Sequence, residues 1–165
     1  MRIIGIDMTS RPRRAKPITV QRCDLVGDRL IAREAVALRD FAAFDGLFAA
    51  PGPWIAGIDC PFGQPRRLVE GIGWPRDWAG CTAYVGRMDR QTFRDALDAY
   101  RAPRPVGDKE HRRRIDRFAG GISPQKLYGV PVGLMYFEAA PRLLRSGVRL
   151  PAHGVPGDPD RTVIE

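Results

Sequence analysis

Cysteine, histidine and lysine are all scarce in this chain. The three cysteines, Cys23, Cys60 and Cys81, are odd in number and widely spaced, with no Cys-x-x-Cys. That argues against a disulfide framework or a structural zinc site. The two histidines, His111 and His153, fall in no Ser-His-Asp order, and neither a P-loop nor a dinucleotide fingerprint is present. No apolar run approaches the roughly 20 residues of a membrane span. The chain starts at once on a strand-like run, Arg2 to Asp7, not on a charged-then-apolar leader. A cytoplasmic location away from membranes is the expectation.

Acidic charge is in deficit. Lysine and arginine number 27 against 19 acids, for a net charge of +8 and a pI near 10.1. Such a balance favours phosphate-rich partners. Lysine occurs only at positions 16, 109 and 126, so an arginine-rich coding bias accounts for the excess equally well. Hydrophobic residues at 44% and charged residues at 28% are ordinary for a globular chain. The length of 165 residues suits one domain.

What is present reads as alternating strands and helices. Residues 3–8 form a short β-branched strand, and residues 18–25 and 29–37 two more, joined by a tight turn at Gly27-Asp28. Asp40 caps a helix carrying Phe41, Phe44, Leu47 and Phe48, which Pro51-Gly52-Pro53 stops. Residues 54–60 are a fourth strand. This β-β-β-α-β order predicts a mixed sheet in which the crossover brings strand four parallel to strand one. Residues 64–120 read as a helical excursion within a single domain spanning 1–165. Inside it, residues 107–117 form a charged helix with Asp108–Arg112 and Glu110–Arg114 pairs. Residues 133–147 are a further helix, kinked at Pro141. Residues 148–160 are loop, and 161–165 open a fifth strand. That strand ends without turn or cap, as expected of a chain truncated at its C-terminus.

The sharpest feature is a repeated peptide. Ile4-Gly5-Ile6-Asp7 and Ala56-Gly57-Ile58-Asp59 each carry an apolar strand onto an aspartate. Residues two apart share a strand face, so each glycine lies on the side of its aspartate. Paired in register, the two acids start about 5 Å apart at the carboxyl edge of the sheet. Like charges so close favour a divalent cation, and oxygen ligands suit Mg²⁺ or Mn²⁺. Turn chemistry in Asp59-Cys60-Pro61-Phe62-Gly63 is the competing account of one of these acids.

Several stretches resemble a known family. They are Gly5-Ile-Asp-Met-Thr-Ser10, Arg13-Arg-Ala-Lys-Pro-Ile-Thr19, Gly57-Ile-Asp-Cys-Pro-Phe-Gly63, Gly107-Asp-Lys-Glu110, Ser123-Pro-Gln-Lys126 and Phe137-Glu-Ala-Ala-Pro-Arg142. Their order is similar to that of domain-of-unknown-function family 429, described as predicted nucleases with a ribonuclease H-like fold. The resemblance spans essentially the whole chain. It implies a ribonuclease H-like α/β fold with a mixed five-stranded sheet and a helical insertion after strand four. It also implies metal-binding acids at Asp7 and Asp59, and a late glutamate, Glu165 or Glu138, completing the site.

Around this core, Thr9, Ser10, Arg13 and Arg14 follow strand one, where hydroxyls and guanidinium forks suit phosphate. Lys109, Lys126 and Arg142 are further substrate-binding candidates within the resembling stretches. The leading expectation is an Mg²⁺- or Mn²⁺-dependent hydrolase of nucleic-acid phosphodiesters, with Asp7, Asp59, Glu138 and Glu165 as its acids. A non-catalytic nucleic-acid-binding or regulatory module is the second reading. A phosphotransferase or ATPase-like protein is the third, weakened because Met8-Thr9-Ser10-Arg11-Pro12 lacks the glycines of a phosphate turn.

Overall fold

A computed structural model describes residues 1–165. Strands β1 (Arg2–Asp7), β2 (Ile18–Val26) and β3 (Arg29–Leu38) form an antiparallel run. Ile18 and Val20 are fully buried while Thr19 between them is exposed, the two-residue period of a half-covered strand. Gly27 takes a φ of 61° at the first position of the two-residue β2–β3 loop, a conformation that suits glycine. Helix α1 (Phe41–Ala49) starts where Asp40 accepts the Ala43 N–H at 2.8 Å. Its buried Phe44 and Phe48, one helical turn apart, stack edge-on at 5.0 Å, and Phe48 meets Trp54 at 6.4 Å.

Trp54 opens β4 (Trp54–Asp59), which runs parallel to β1. Strand β6 (Asp158–Ile164) is parallel to β4, and β5 (Val148–Arg149) is parallel to β6. The result is an α/β chain with a mixed sheet in the order β3-β2-β1-β4-β6-β5. The sheet has six strands where five are expected. The extra one, β5, is two residues long, too short for any alternation to show. It forms where Gly147, at φ 71°, turns the chain and Gly157 lets the backbone approach Val148. The last strand begins at Asp158, inside the stretch expected to be loop.

The contacts divide the chain into two compact units, Met1–Cys60 with Arg145–Glu165, and Pro61–Leu144. The first holds the sheet. The second holds the helical excursion, which runs beyond residue 120. Its helices are α2 (Arg66–Ile72), α3 (Trp78–Val85), α4 (Arg90–Arg101), α5 (Arg114–Phe118) and most of α6 (Val132–Arg145). Their core gathers Leu68, Trp74, Phe93, Leu97, Leu134 and Tyr136. Phe93 is fully buried, with Trp74 at 6.0 Å, Tyr136 at 6.3 Å and Phe137 at 5.0 Å. Helix α6 runs through Pro141 without a break. The proline ring packs on Gly86, where an added Cβ would lie 3.0 Å from Pro141 Cβ.

The charged stretch at 107–117 is not the expected helix. Only Arg114–Phe118 is helical, because Gly107 sits at φ 91° and the acids that follow it find partners elsewhere. Asp108 takes both Arg67 (2.6 and 2.9 Å) and Arg104 (3.0 Å), and Glu110 takes Arg101 at 3.1 Å. Behind them His111 Nε2 meets the Tyr100 hydroxyl at 2.8 Å. Burial first, and then the Arg67 charge with Arg104 and Arg117, hold the His111 imidazole below its ordinary range, against the pull of Asp108.

Two outcomes follow from this packing. Phe93→Ala should cost about 3–5 kcal/mol, read as a lower urea midpoint, because the cavity lies among fixed rings. A lowered His111 pKa means that the unfolded chain binds the proton more readily. Stability is then full above pH 6.5, the ordinary value, and falls as pH drops below it. Urea midpoints at pH 7.5 and 5.5 should differ more in the native chain than in His111→Gln.

Candidate active site at the carboxyl edge of the sheet

The repeated peptide lies in register. Gly5 pairs with Gly57, Ile6 with Ile58 and Asp7 with Asp59, on adjacent parallel strands. Ile6 and Ile58 are buried at 4% and 2% exposure and anchor one face. Pleating puts the two aspartates on the other face, exposed, about 5 Å apart by strand spacing. Neither carboxylate has a hydrogen bond or an ion pair in the fold. The face before them is open. An added Cβ at Gly5 would meet nothing within 4 Å, and one at Gly57 only Ile164 Cγ1 at 4.0 Å.

Two unpaired carboxylates with free space beside them fit a divalent cation. No three His, Cys, Asp or Glu side chains gather into a metal-binding group. Magnesium suits a two-carboxylate edge, because it keeps several waters and takes one or two carboxylates together with phosphate oxygens. Asp7 and Asp59 would hold the ion.

The flanking residues are placed as follows. On the other side of Asp7, the antiparallel register sets Thr19, whose hydroxyl-bearing side chain is exposed on the same face. Sequence reasoning passed over Thr19 as a strand residue. Counting back along the hairpin from the Gly27-Asp28 turn is the signal that would have found it. Glu165 follows β6, where Ile164 pairs with Gly57, so it reaches this edge level with Ile58, one position short of Asp59. Thr9 and Ser10 are buried at 6% exposure each. Arg13 and Arg14 sit in a turn closed by paired backbone bonds between Arg13 and Lys16 (3.1 and 3.0 Å), and their side chains are exposed.

The remaining candidates lie in the helical unit. Glu138 on α6 is buried, and both its oxygens are engaged, Oε1 by Arg90 at 2.9 Å and Oε2 by Arg142 at 3.0 Å. Arg142 also donates to the Glu138 carbonyl at 2.7 Å. These two candidates therefore bind each other. Lys109 is exposed, and Lys126 places its Nζ 5.2 Å from the Tyr128 ring centre. No helix of the chain is long and apolar enough to cross a membrane. No protein-family model, curated protein or solved structure matches this chain.

The contrast between the acids is testable. Glu138→Gln removes the carboxylate that Arg90 and Arg142 share and should lower stability by about 3 kcal/mol. By calorimetry it should leave Mn²⁺ binding unchanged. A loss of Mn²⁺ affinity in a folded Glu138→Gln chain would move this residue into the metal site.

Proposed function

We propose that the edge formed by Asp7 and Asp59 binds Mg²⁺ or Mn²⁺ and that the protein hydrolyses phosphodiester bonds of nucleic acid on a ribonuclease H-like core. The observation that carries this reading is the in-register meeting of two unpartnered aspartates at the carboxyl ends of adjacent parallel strands. The β-β-β-α-β start and the mixed sheet with β1 between β2 and β4 support it.

A divalent cation bound there supplies Lewis-acid polarisation of a phosphoryl oxygen and an acidified water. The chain's own residues do the rest. Asp7 and Asp59 hold their charges fixed on rigid strands, so little reorganisation is needed when negative charge develops nearby. The Thr19 hydroxyl, beside Asp7, is placed to hydrogen-bond a water or a phosphate oxygen. Arg13 and Arg14 offer planar forks to the flanking phosphates. Glu165 adds a third carboxylate close to the edge. Glu138 and Arg142, bonded to one another, serve the helical unit's packing.

With labelled single-stranded DNA, RNA and duplex as substrates, cleavage should require Mn²⁺ or Mg²⁺. Asp7→Asn and Asp59→Asn should each lower it on the order of 100-fold or more, with the urea midpoint held. Each should also weaken Mn²⁺ binding by calorimetry. Wild-type chain that shows neither metal-stimulated cleavage nor Mn²⁺ binding would sink the reading. Nucleic-acid binding indifferent to metal would then identify a non-catalytic module.

A further inference from the structure

The charged stretch of the helical unit has a shape that its composition does not announce. Residues 112–122 leave and return at one neck. There, Ser123 Oγ donates to the His111 carbonyl at 2.6 Å, and the His111 N–H donates to Gln125 Oε1 at 2.6 Å. Gln125 is fully buried, its own N–H bonds Ser123 Oγ at 3.1 Å, and Arg101 donates to its carbonyl. The neck is internal, and the loop beyond it is largely exposed.

Four arginines stand against one acid in this loop. That acid, Asp116, is buried and held by Arg113 through its backbone N–H at 2.7 Å and its guanidinium at 2.6 Å. The surface that remains is Arg112, Arg114 and Arg117, all exposed and without ion pairs, together with Ile115 and Phe118. Phe118 is 89% exposed and Ile115 54%. On α5, Ile115 and Phe118 are three residues apart and share one side, with Arg114 and Arg117 in the same relation next to them. Just past the neck, Tyr128 is 64% exposed with the Lys126 ammonium over its ring.

We propose that this loop binds single-stranded nucleic acid, with bases stacking on Phe118 and Tyr128 and phosphates on Arg112, Arg114 and Arg117. An exposed ring flanked by cations matches an unstacked nucleotide, which offers a flat apolar face and one negative charge per residue. The cations of the loop are all arginine, whose fork engages two phosphate oxygens at once. The paired bases of a duplex hide their faces and lose the stacking half of this match. If the acid edge is a nuclease, as proposed above, the loop names single strands as its substrate. Binding itself needs neither metal nor cleavage.

The test is fluorescence anisotropy of the full chain with labelled 20-nucleotide oligo-dT and a 20-base-pair duplex, in EDTA. Oligo-dT should bind more tightly than duplex, and Phe118→Ala should weaken it about fivefold or more. Arg114→Glu with Arg117→Glu should abolish binding at moderate salt, and the single reversals should flatten the dependence on salt. Leu30→Ala, an exposed apolar change in the sheet unit, should bind as wild type. Unchanged affinity in Phe118→Ala, or a preference for duplex, would overturn the proposal. So would failure to bind oligo-dT while sedimenting with phosphatidylcholine vesicles containing 30% phosphatidylglycerol, which would assign the loop to a lipid surface. Oligo-dT binding without any metal-dependent cleavage would remove the nuclease reading and leave this one standing. Cleavage of single strands at the wild-type rate in Phe118→Ala would do the reverse.

Discussion

The pairing of β1 with β4 is the constraint on which the rest of the sheet unit depends. Parallel strands cannot be joined by a tight turn, so the chain must travel through the β2–β3 hairpin and α1 before it returns. Once β4 lies beside β1, the apolar residues decide the register. Sliding by one position would move Ile58 and Ala56 from the buried face to the open one. Burial of Trp54, Ala56 and Ile58 on one face therefore also decides that Asp59 lands beside Asp7. Two charges are brought together by the hydrophobic demands of the residues before them.

Electrostatics alone would have separated those charges, and four acids of the helical unit show the contrast. Asp108, Glu110, Asp116 and Glu138 each meet at least one guanidinium at 3.1 Å or less. Much of the arginine excess is thus consumed inside the helical unit, as counter-charge for acids in turns and on helix faces. Asp7 and Asp59 receive none of it. Asp28 and Glu34 also lack a cation, so what sets Asp7 and Asp59 apart is that the two lie side by side in register.

Local signals carried much of the fold. The hairpin turn, the Asp40 cap, the Phe44–Phe48 spacing and the five longer strands all have short-range causes, and each was legible within a residue or two apart from the start of the last strand. The twin peptide also announced its own pairing, because the same residues recur before each aspartate. What was hidden depends on partners distant in sequence. The stretch 107–117 has the composition of a salt-bridged helix, yet Asp108 and Glu110 pair with arginines on α2 and α4, and Gly107 turns the backbone. Strand β5 exists only because β6 offers it an edge. Glu138 looked like a site acid because its stretch resembled a nuclease motif; Arg142, one turn on within that stretch, looked like a substrate contact, and Arg90 on α4 lies outside it. Thr19 was overlooked because its value comes only from its place opposite Asp7.

The two proposed surfaces treat phosphate in opposite ways, and this bears on how binding and chemistry divide. An edge made of two bare aspartates repels a phosphodiester, and a divalent cation held there would offset that charge. The loop at 112–122 attracts phosphate with no such help, because its single acid is already neutralised within it. Affinity for nucleic acid can then persist without metal, while any chemistry at the sheet edge cannot.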